Sequence, residues 1–171
     1  MKLLLPAWFC VMAVTLSAAV VDLGDRIGKV IAAEFTSRPV DVVDRDASPA
    51  PGKFADERYI VVVLKLDARR SLSLLDYALS VNGVRYPCIA AVRNQEPFVA
   101  NPEALYSSGD DAARLLFAVD GARVKPVDGV LTATLTPQLP GRRAVTFQIT
   151  DIGNRAFTDP GTIPADGLLP K

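Results

Sequence analysis

Asp41, Asp44 and Asp46 put three carboxylates within six residues. Ca²⁺ takes that kind of donor, since it gathers roughly six to eight oxygen ligands in flexible geometry. The run lacks the ordered spacing and the glycine of an EF-hand loop, so solvated loop carboxylates are the plainer reading. Gly109-Asp110-Asp111 poses the same choice, and there the plainer role is to end a loop just before a strand at Ala112. Phe98 and Tyr106 are the candidate binding residues, because an exposed aromatic can anchor a partner or stack on a sugar ring. Their alternative is to fold back as a lid over one end of the core, as long loops often pack on their own side chains. Arg69-Arg70 and Arg142-Arg143 are paired cations at strand ends, either solvated or together forming one basic patch.

Catalysis has less to work with. The chain has no histidine, which removes the commonest general base, the Ser-His-Asp and Cys-His nucleophiles and every imidazole zinc site. Glycoside hydrolysis needs two carboxylates roughly 5–9 Å apart across the sugar. Among 19 acidic residues no pair is singled out by the sequence. No Ser-x-x-Lys or Gly-x-Ser-x-Gly marks an activated serine. No catalytic residue is assigned, and no cofactor is expected beyond the Ca²⁺ option. With 19 basic residues against 19 acidic ones, nothing draws the chain to nucleic acid or to an anionic membrane.

The N-terminus sets the compartment. Lys2 precedes an apolar run from Leu3 to Val21, and Ser17-Ala18-Ala19 follows the small-x-small rule of a signal peptidase. Cleavage between Ala19 and Val20 is expected, giving an exported protein, periplasmic or extracellular. Retention of the same run as a membrane anchor is the alternative, and only then would the membrane be a partner. Cys10 would leave with the signal. Cys88 would then have no intrachain partner, and its strand position makes it a small buried hydrophobe.

The elements that must carry these residues are strands. Arg58 to Asp67 puts Ile60, Val62, Leu64 and Leu66 on one face and Tyr59, Val61 and Val63 on the other. Apolar side chains on both faces predict a central strand covered on each side. Asn82-Gly83 predicts a two-residue type I′ hairpin. Val81 then opposes Val84, Leu79 opposes Tyr86, and Tyr77 opposes Cys88, all on one face. Pro87, which lacks a donor, predicts an edge strand. Leu115, Phe117 and Val119 face in against Arg114, Leu116 and Ala118. Leu131, Ala133 and Leu135, then Val145, Phe147 and Ile149, repeat the alternation. Lys29 to Phe35 and Val40 to Val43 are weaker strands.

These runs predict an all-β chain, an antiparallel immunoglobulin-like β-sandwich of about seven strands. Residues 1–19 form the signal, 20–57 the first strands with the Pro-rich loop Ser48-Pro49-Ala50-Pro51-Gly52, 58–152 the sandwich core, and 153–171 a Pro/Gly-rich tail. Residues 91–111 are left as one long loop, with a helical turn over Pro102 to Ser107. Another helical turn is placed in Ser71 to Asp76.

Tyr59-Ile60-Val61-Val62-Val63, Leu75-Asp76-Tyr77-Ala78-Leu79 leading into Asn82-Gly83-Val84-Arg85-Tyr86, and Ala113-Arg114-Leu115-Leu116-Phe117 resemble the small exported telokin-like domains of bacteria. The resemblance spans roughly residues 55–150. It departs at Asp67-Ala68-Arg69, where the family commonly has Asn, and at Ser108-Gly109, where it has Pro-Gly. It implies an immunoglobulin-type sandwich of unknown function and offers no catalytic residue. The expectation is an exported, non-catalytic binding or envelope-associated module whose partner is a protein or an envelope component, with loops 36–57 and 91–111 carrying recognition. A carbohydrate-directed protein and an anchored structural protein are the alternatives.

Overall fold

The structure, a computed structural model, describes residues 21–22, 28–43, 54–66, 71–72, 76–93, 97–100, 105–106, 112–138 and 143–158. Among them run β1 (Val21–Asp22), β2 (Gly28–Thr36), β3 (Val42–Val43), β4 (Glu57–Leu66), β5 (Ser71–Leu72), β6 (Tyr77–Val81) and β7 (Val84–Pro87). They continue with β8 (Ala90–Arg93), β9 (Phe98–Val99), β10 (Leu105–Tyr106), β11 (Ala112–Asp120), β12 (Leu131–Pro137) and β13 (Val145–Asp151). The fold is all-β. Among the described residues no helix is long and apolar enough to cross a membrane.

Apolar residues on both faces place β4 at the centre. It pairs antiparallel with β11 on one side and with β2 on the other. Ile60, Val62 and Leu64 enter one apolar cluster, while Tyr59 and Val61 enter a second on the opposite face. Residue Ile31 is an extra residue in β2, because Val30 pairs with Leu64 and Ala32 with Val63. This bulge turns Val30 and Ala33, three positions apart, onto the same core.

The hairpin forms in the expected register, Val81 opposite Val84 and Leu79 opposite Tyr86. Asn82 (φ 49°) and Gly83 (φ 78°) take the left-handed conformations that a type I′ turn requires. The Cys88 N–H donates to the Tyr77 carbonyl at 3.1 Å, completing the third pair. Strand β7 is an edge. The alternations of β11, β12 and β13 also hold, with Leu115, Phe117, Leu131, Ala133, Leu135, Phe147 and Ile149 all in the inner core.

The assembly of these strands differs from an immunoglobulin-like sandwich of about seven antiparallel strands. One mixed sheet runs β3-β9-β8-β11-β4-β2-β13-β12-β6-β7, with β1 added to β2 and a separate β5–β10 pair. Two of its pairings, β13–β2 and β3–β9, are parallel. The physical cause is two corners. Strand β13 pairs along one edge with β12 and along the other with β2, joining what would be two sheets. At the second corner Cys88 bonds to Tyr77 on β6 and the next residue, Ile89, donates to Leu116 on β11 at 2.9 Å. The sheet therefore curls until β7 packs against β11, and the inner core fills the curl.

The long loop is also partly strand. Ala90–Arg93 forms β8 on β11, Phe98–Val99 pairs with β8 and β3, and Leu105–Tyr106 pairs with Ser71–Leu72. Of the residues where helical turns were expected, Ser71–Leu72 and Leu105–Tyr106 are strand and Asp76 is 3₁₀, while residues 73–75, 102–104 and 107 lie outside the described residues. Ala90, Ala91 and Val92 are buried on both faces, so they show no alternation, and alanine carries little strand signal of its own.

Candidate functional site

The second face of the sheet is where chemistry collects. Tyr59, Val61, Ile89, Ala90, Val92, Phe98, Leu116 and Ala118 form its apolar layer, with Val40, Val42 and Phe157 packed on top. Strand alternation puts Arg114 on this same face, two residues before Leu116. Its side chain is held there by aromatic rings. The guanidinium carbon lies 5.2 Å from the Phe98 ring centroid and 5.7 Å from that of Phe157. Cation–π contacts of this kind contribute about 0.5–2 kcal/mol each, more as water is excluded. Arg114 is only 9 % exposed, and a guanidinium keeps its proton in proteins. A permanent positive charge is thus fixed on an apolar floor.

Two loops rise beside it. Because β13 and β2 run parallel through Thr150–Glu34 and Asp151–Phe35, their C-terminal ends emerge side by side, and the chain after each can be stitched to the other. The Thr36 hydroxyl, buried at 1 % exposure, shares its proton between the carbonyls of Arg155 (2.7 Å) and Gly153 (3.0 Å). The same oxygen accepts from the Arg38 N–H at 3.1 Å. The Ser37 N–H donates to the Gly153 carbonyl and the Ile152 N–H to that of Phe35. Gly153 sits at φ 62° with its N–H on Asp151 Oδ1, a left-handed turn that favours glycine. Beyond it, the Glu34 carboxylate accepts from both the Thr158 N–H and its hydroxyl, which ties down the end of the segment carrying Phe157. Arg155 Nε donates to the Ile152 carbonyl at 3.0 Å, folding that side chain back toward the loop.

Between these loops lies an open cleft of about 290 Å³. Thr36 is among its walls, and the groups that give it character are Arg38, Arg114, Arg155, Asp41, Phe98 and Phe157. Arg38, Asp41 and Arg155 are exposed, whereas Arg114 and Phe98 are buried. Three arginines, one aspartate and two phenylalanines thus line one cleft.

The candidates from sequence divide accordingly. Phe98 lies in the cleft, but its ring is covered by Arg114 and is 7 % exposed. Tyr106 is in β10 and its side chain lies outside the described residues. Asp41 lines the cleft, while Asp44 and Asp46 lie outside the described residues, as do Ala19, Val20, residues 69–70, residues 109–111 and Arg142. Among the described residues no group of three or more His, Cys, Asp or Glu is placed to hold a metal ion. Arg143 is exposed just before β13 and is not among the cleft residues. Cys88 is a buried thiol donating to the Ala90 carbonyl, and desolvation pushes its pKa up to about 12.

Sequence reasoning missed Arg38, Arg114, Arg155 and Phe157. One signal was available: Arg114 interrupts the middle of a β11 face that continues through the apolar Leu116 and Ala118. The others stand in irregular segments with no periodicity to mark them. Comparison with known families, with characterised proteins and with solved structures gave no significant match to this chain.

Proposed function

We propose that this chain is an exported, non-catalytic binding module and that the cleft between the 36–41 and 152–157 segments is its ligand site. The observation that carries this reading is the Arg114 guanidinium, seated between Phe98 and Phe157 at a cleft whose rim holds Arg38 and Arg155. A hydrogen-bonded sheet supports both loops, so the charged groups are presented on a rigid frame, an arrangement suited to recognition. The chemistry nearby favours binding over turnover. No histidine exists in the chain, the Cys88 thiol stays protonated at neutral pH, and the Glu34 carboxylate is occupied by Thr158. The telokin-like strand motifs and the Ala19–Val20 junction support an exported module whose partner is an envelope component. A carbohydrate partner is less favoured, since Phe98 offers no flat exposed platform beneath Arg114.

The test has two readings on one preparation. Intact mass of the protein recovered from the envelope fraction and the medium is expected to show a chain beginning at Val20. Amide chemical shifts recorded against a panel of small anions, sugars and peptides are expected to move at residues 36–41, 98, 114 and 155–157. Shifts confined to any other surface would remove the cleft as the ligand site. A full-length chain found only in membranes would replace export by anchoring.

A further inference from the structure

We infer that Asn82-Gly83 is a fold-gated modification site. Spontaneous deamidation of Asn82 is held off by the native turn and, once it occurs, unfastens the 121–130 loop. The site is independent of the cleft, and its reaction needs no reactant besides water. The Gly83 backbone nitrogen gives up its proton to solvent base and bonds to Asn82 Cγ. The Cγ–Nδ2 bond breaks, and ammonia leaves with a proton from solvent. Water then opens the cyclic imide at either carbonyl, giving aspartate or isoaspartate. The chain holds four asparagines, Asn82, Asn94, Asn101 and Asn154, and only Asn82 precedes glycine. A side chain on the following residue would crowd the attack. Asn101 precedes Pro102, which has no N–H to lose. Asn82 and Gly83 are both exposed, and a Cβ built on Gly83 would meet nothing within 4 Å, so water and base have access.

Two features of the native turn oppose the reaction. Ring closure requires the Gly83 nitrogen to eclipse Asn82 Cβ about the Cα–C bond. Asn82, at φ 49° in a type I′ turn, is in the left-handed region, which sets that nitrogen on the opposite side of the bond. The second feature is the amide itself. Its Nδ2 donates to the carbonyls of Arg123 at 3.0 Å and Lys125 at 2.8 Å. Both acceptors are carbonyls, so the nitrogen end must face them, with both of its protons engaged. For attack, the turn must open and the amide must leave its carbonyls, and the rate then follows the population of open hairpin. The same contacts prevent a return. An ionised carboxylate has no proton to donate, and in the amide's place it would meet two carbonyl oxygens. Isoaspartate also adds a methylene to the backbone of a two-residue turn, whose flanking Leu79, Val81 and Tyr86 are fixed in the inner core. A chain that has opened long enough is thereby permanently marked, and its 121–130 loop is released from the hairpin.

The test follows the full chain in mildly alkaline buffer, folded and in urea, with tryptic mapping over time. Cleavage after Arg70 and Arg85 releases residues 71–85, in which Asn82 is the one carboxamide side chain. The amide-to-acid mass gain and the isoaspartyl product in that peptide therefore report on Asn82 alone. Conversion is expected to be at least tenfold slower in the folded chain than in urea. Val84→Ala trims a half-buried side chain packed against the inner core and leaves Asn82-Gly83 untouched. It is expected to raise the folded rate several-fold with the urea rate unchanged. Asn82→Asp installs the carboxylate directly. Hydrogen–deuterium exchange is then expected to quicken at least tenfold at Val127 and Val130, whose N–H groups each donate to the other's carbonyl at 2.9 Å, while β4 stays protected. Equal rates folded and in urea overturn the gate, as does a folded rate indifferent to Val84→Ala. Unchanged exchange at Val127 and Val130 in Asn82→Asp overturns the unfastening. Absence of conversion even in urea removes the site altogether.

Discussion

At the scale of single residues, environment decides which groups are chemically available. Cys88 illustrates this. As a free thiol it could pair or react, but its place on the inner face of the corner after β7 buries it. Desolvation holds the folded pKa near 12 against 9.0 for the ordinary thiol. Between those values the unfolded chain loses the proton while the folded chain keeps it, so this thiol's contribution to stability falls as pH rises above 9. The slope is at most about 1.4 kcal/mol per pH unit. Urea melts of wild type and Cys88→Ala are therefore expected to show wild type more stable at pH 7 and the gap shrinking by about 1.4 kcal/mol by pH 10. A gap that stays constant would mean the thiol titrates normally. Arg114 is the opposite case, a guanidinium held on an apolar face by the two rings that contact it.

Among elements, the β6–β7 hairpin shows a turn with two duties. Asn82 tolerates φ 49° because its short amide side chain suits the left-handed region. That same amide donates to the carbonyls of Arg123 (3.0 Å) and Lys125 (2.8 Å), fastening the chain that follows β11. Asn82→Ala is expected to cost about 2 kcal/mol, from about 1–2 for left-handed backbone and about 0.5–1.5 for each hydrogen bond, reduced by exposure. Asn82→Gly relieves the backbone and loses only the side-chain bonds, so it is expected to cost about half as much in the same chemical denaturation. Equal losses would assign the whole effect to the staple. Strands β11, β12 and β13 depend instead on alternation, and Thr134 and Thr146 add a cross-strand hydroxyl bond of 2.9 Å on their outer face.

Across the whole molecule, the parallel pairing of β13 with β2 is the decisive contact. It curls the sheet around one core and also brings the 36–41 and 152–158 segments together, so fold and site share a cause. Thr36 sits at that junction with one hydroxyl serving both segments. Thr36→Val keeps the shape and removes the hydroxyl, and is expected to destabilise by about 1–3 kcal/mol, the cost of leaving buried polar groups unsatisfied. Hydrogen–deuterium exchange should quicken at Arg38 and Arg155, while the amides of β4 and β11 stay protected. Uniform acceleration throughout the sheet would show that Thr36 supports the core as a whole, independently of the cleft.

Local physics made much of this chain legible from its residues alone. Strand alternation identified β4, β6, β7 and β11 to β13, with their inward residues, because a period of two follows from the pleat wherever only one face is buried or both are apolar. Asn82-Gly83 determined the hairpin and its register, because few dipeptides accept two consecutive left-handed residues. The all-β character followed from these. What only the tertiary structure decided is how the strands join and where the site lies. The β13–β2 pairing links Asp151 to Phe35, more than a hundred positions apart, and nothing local in either strand encodes a parallel neighbour. Strand β8 was hidden because burial on both faces erases alternation in Ala90 and Ala91. The cleft was hidden for a similar reason. Arg38, Arg114 and Arg155 come from three distant segments and meet only once the curled sheet has set β2, β11 and β13 in place.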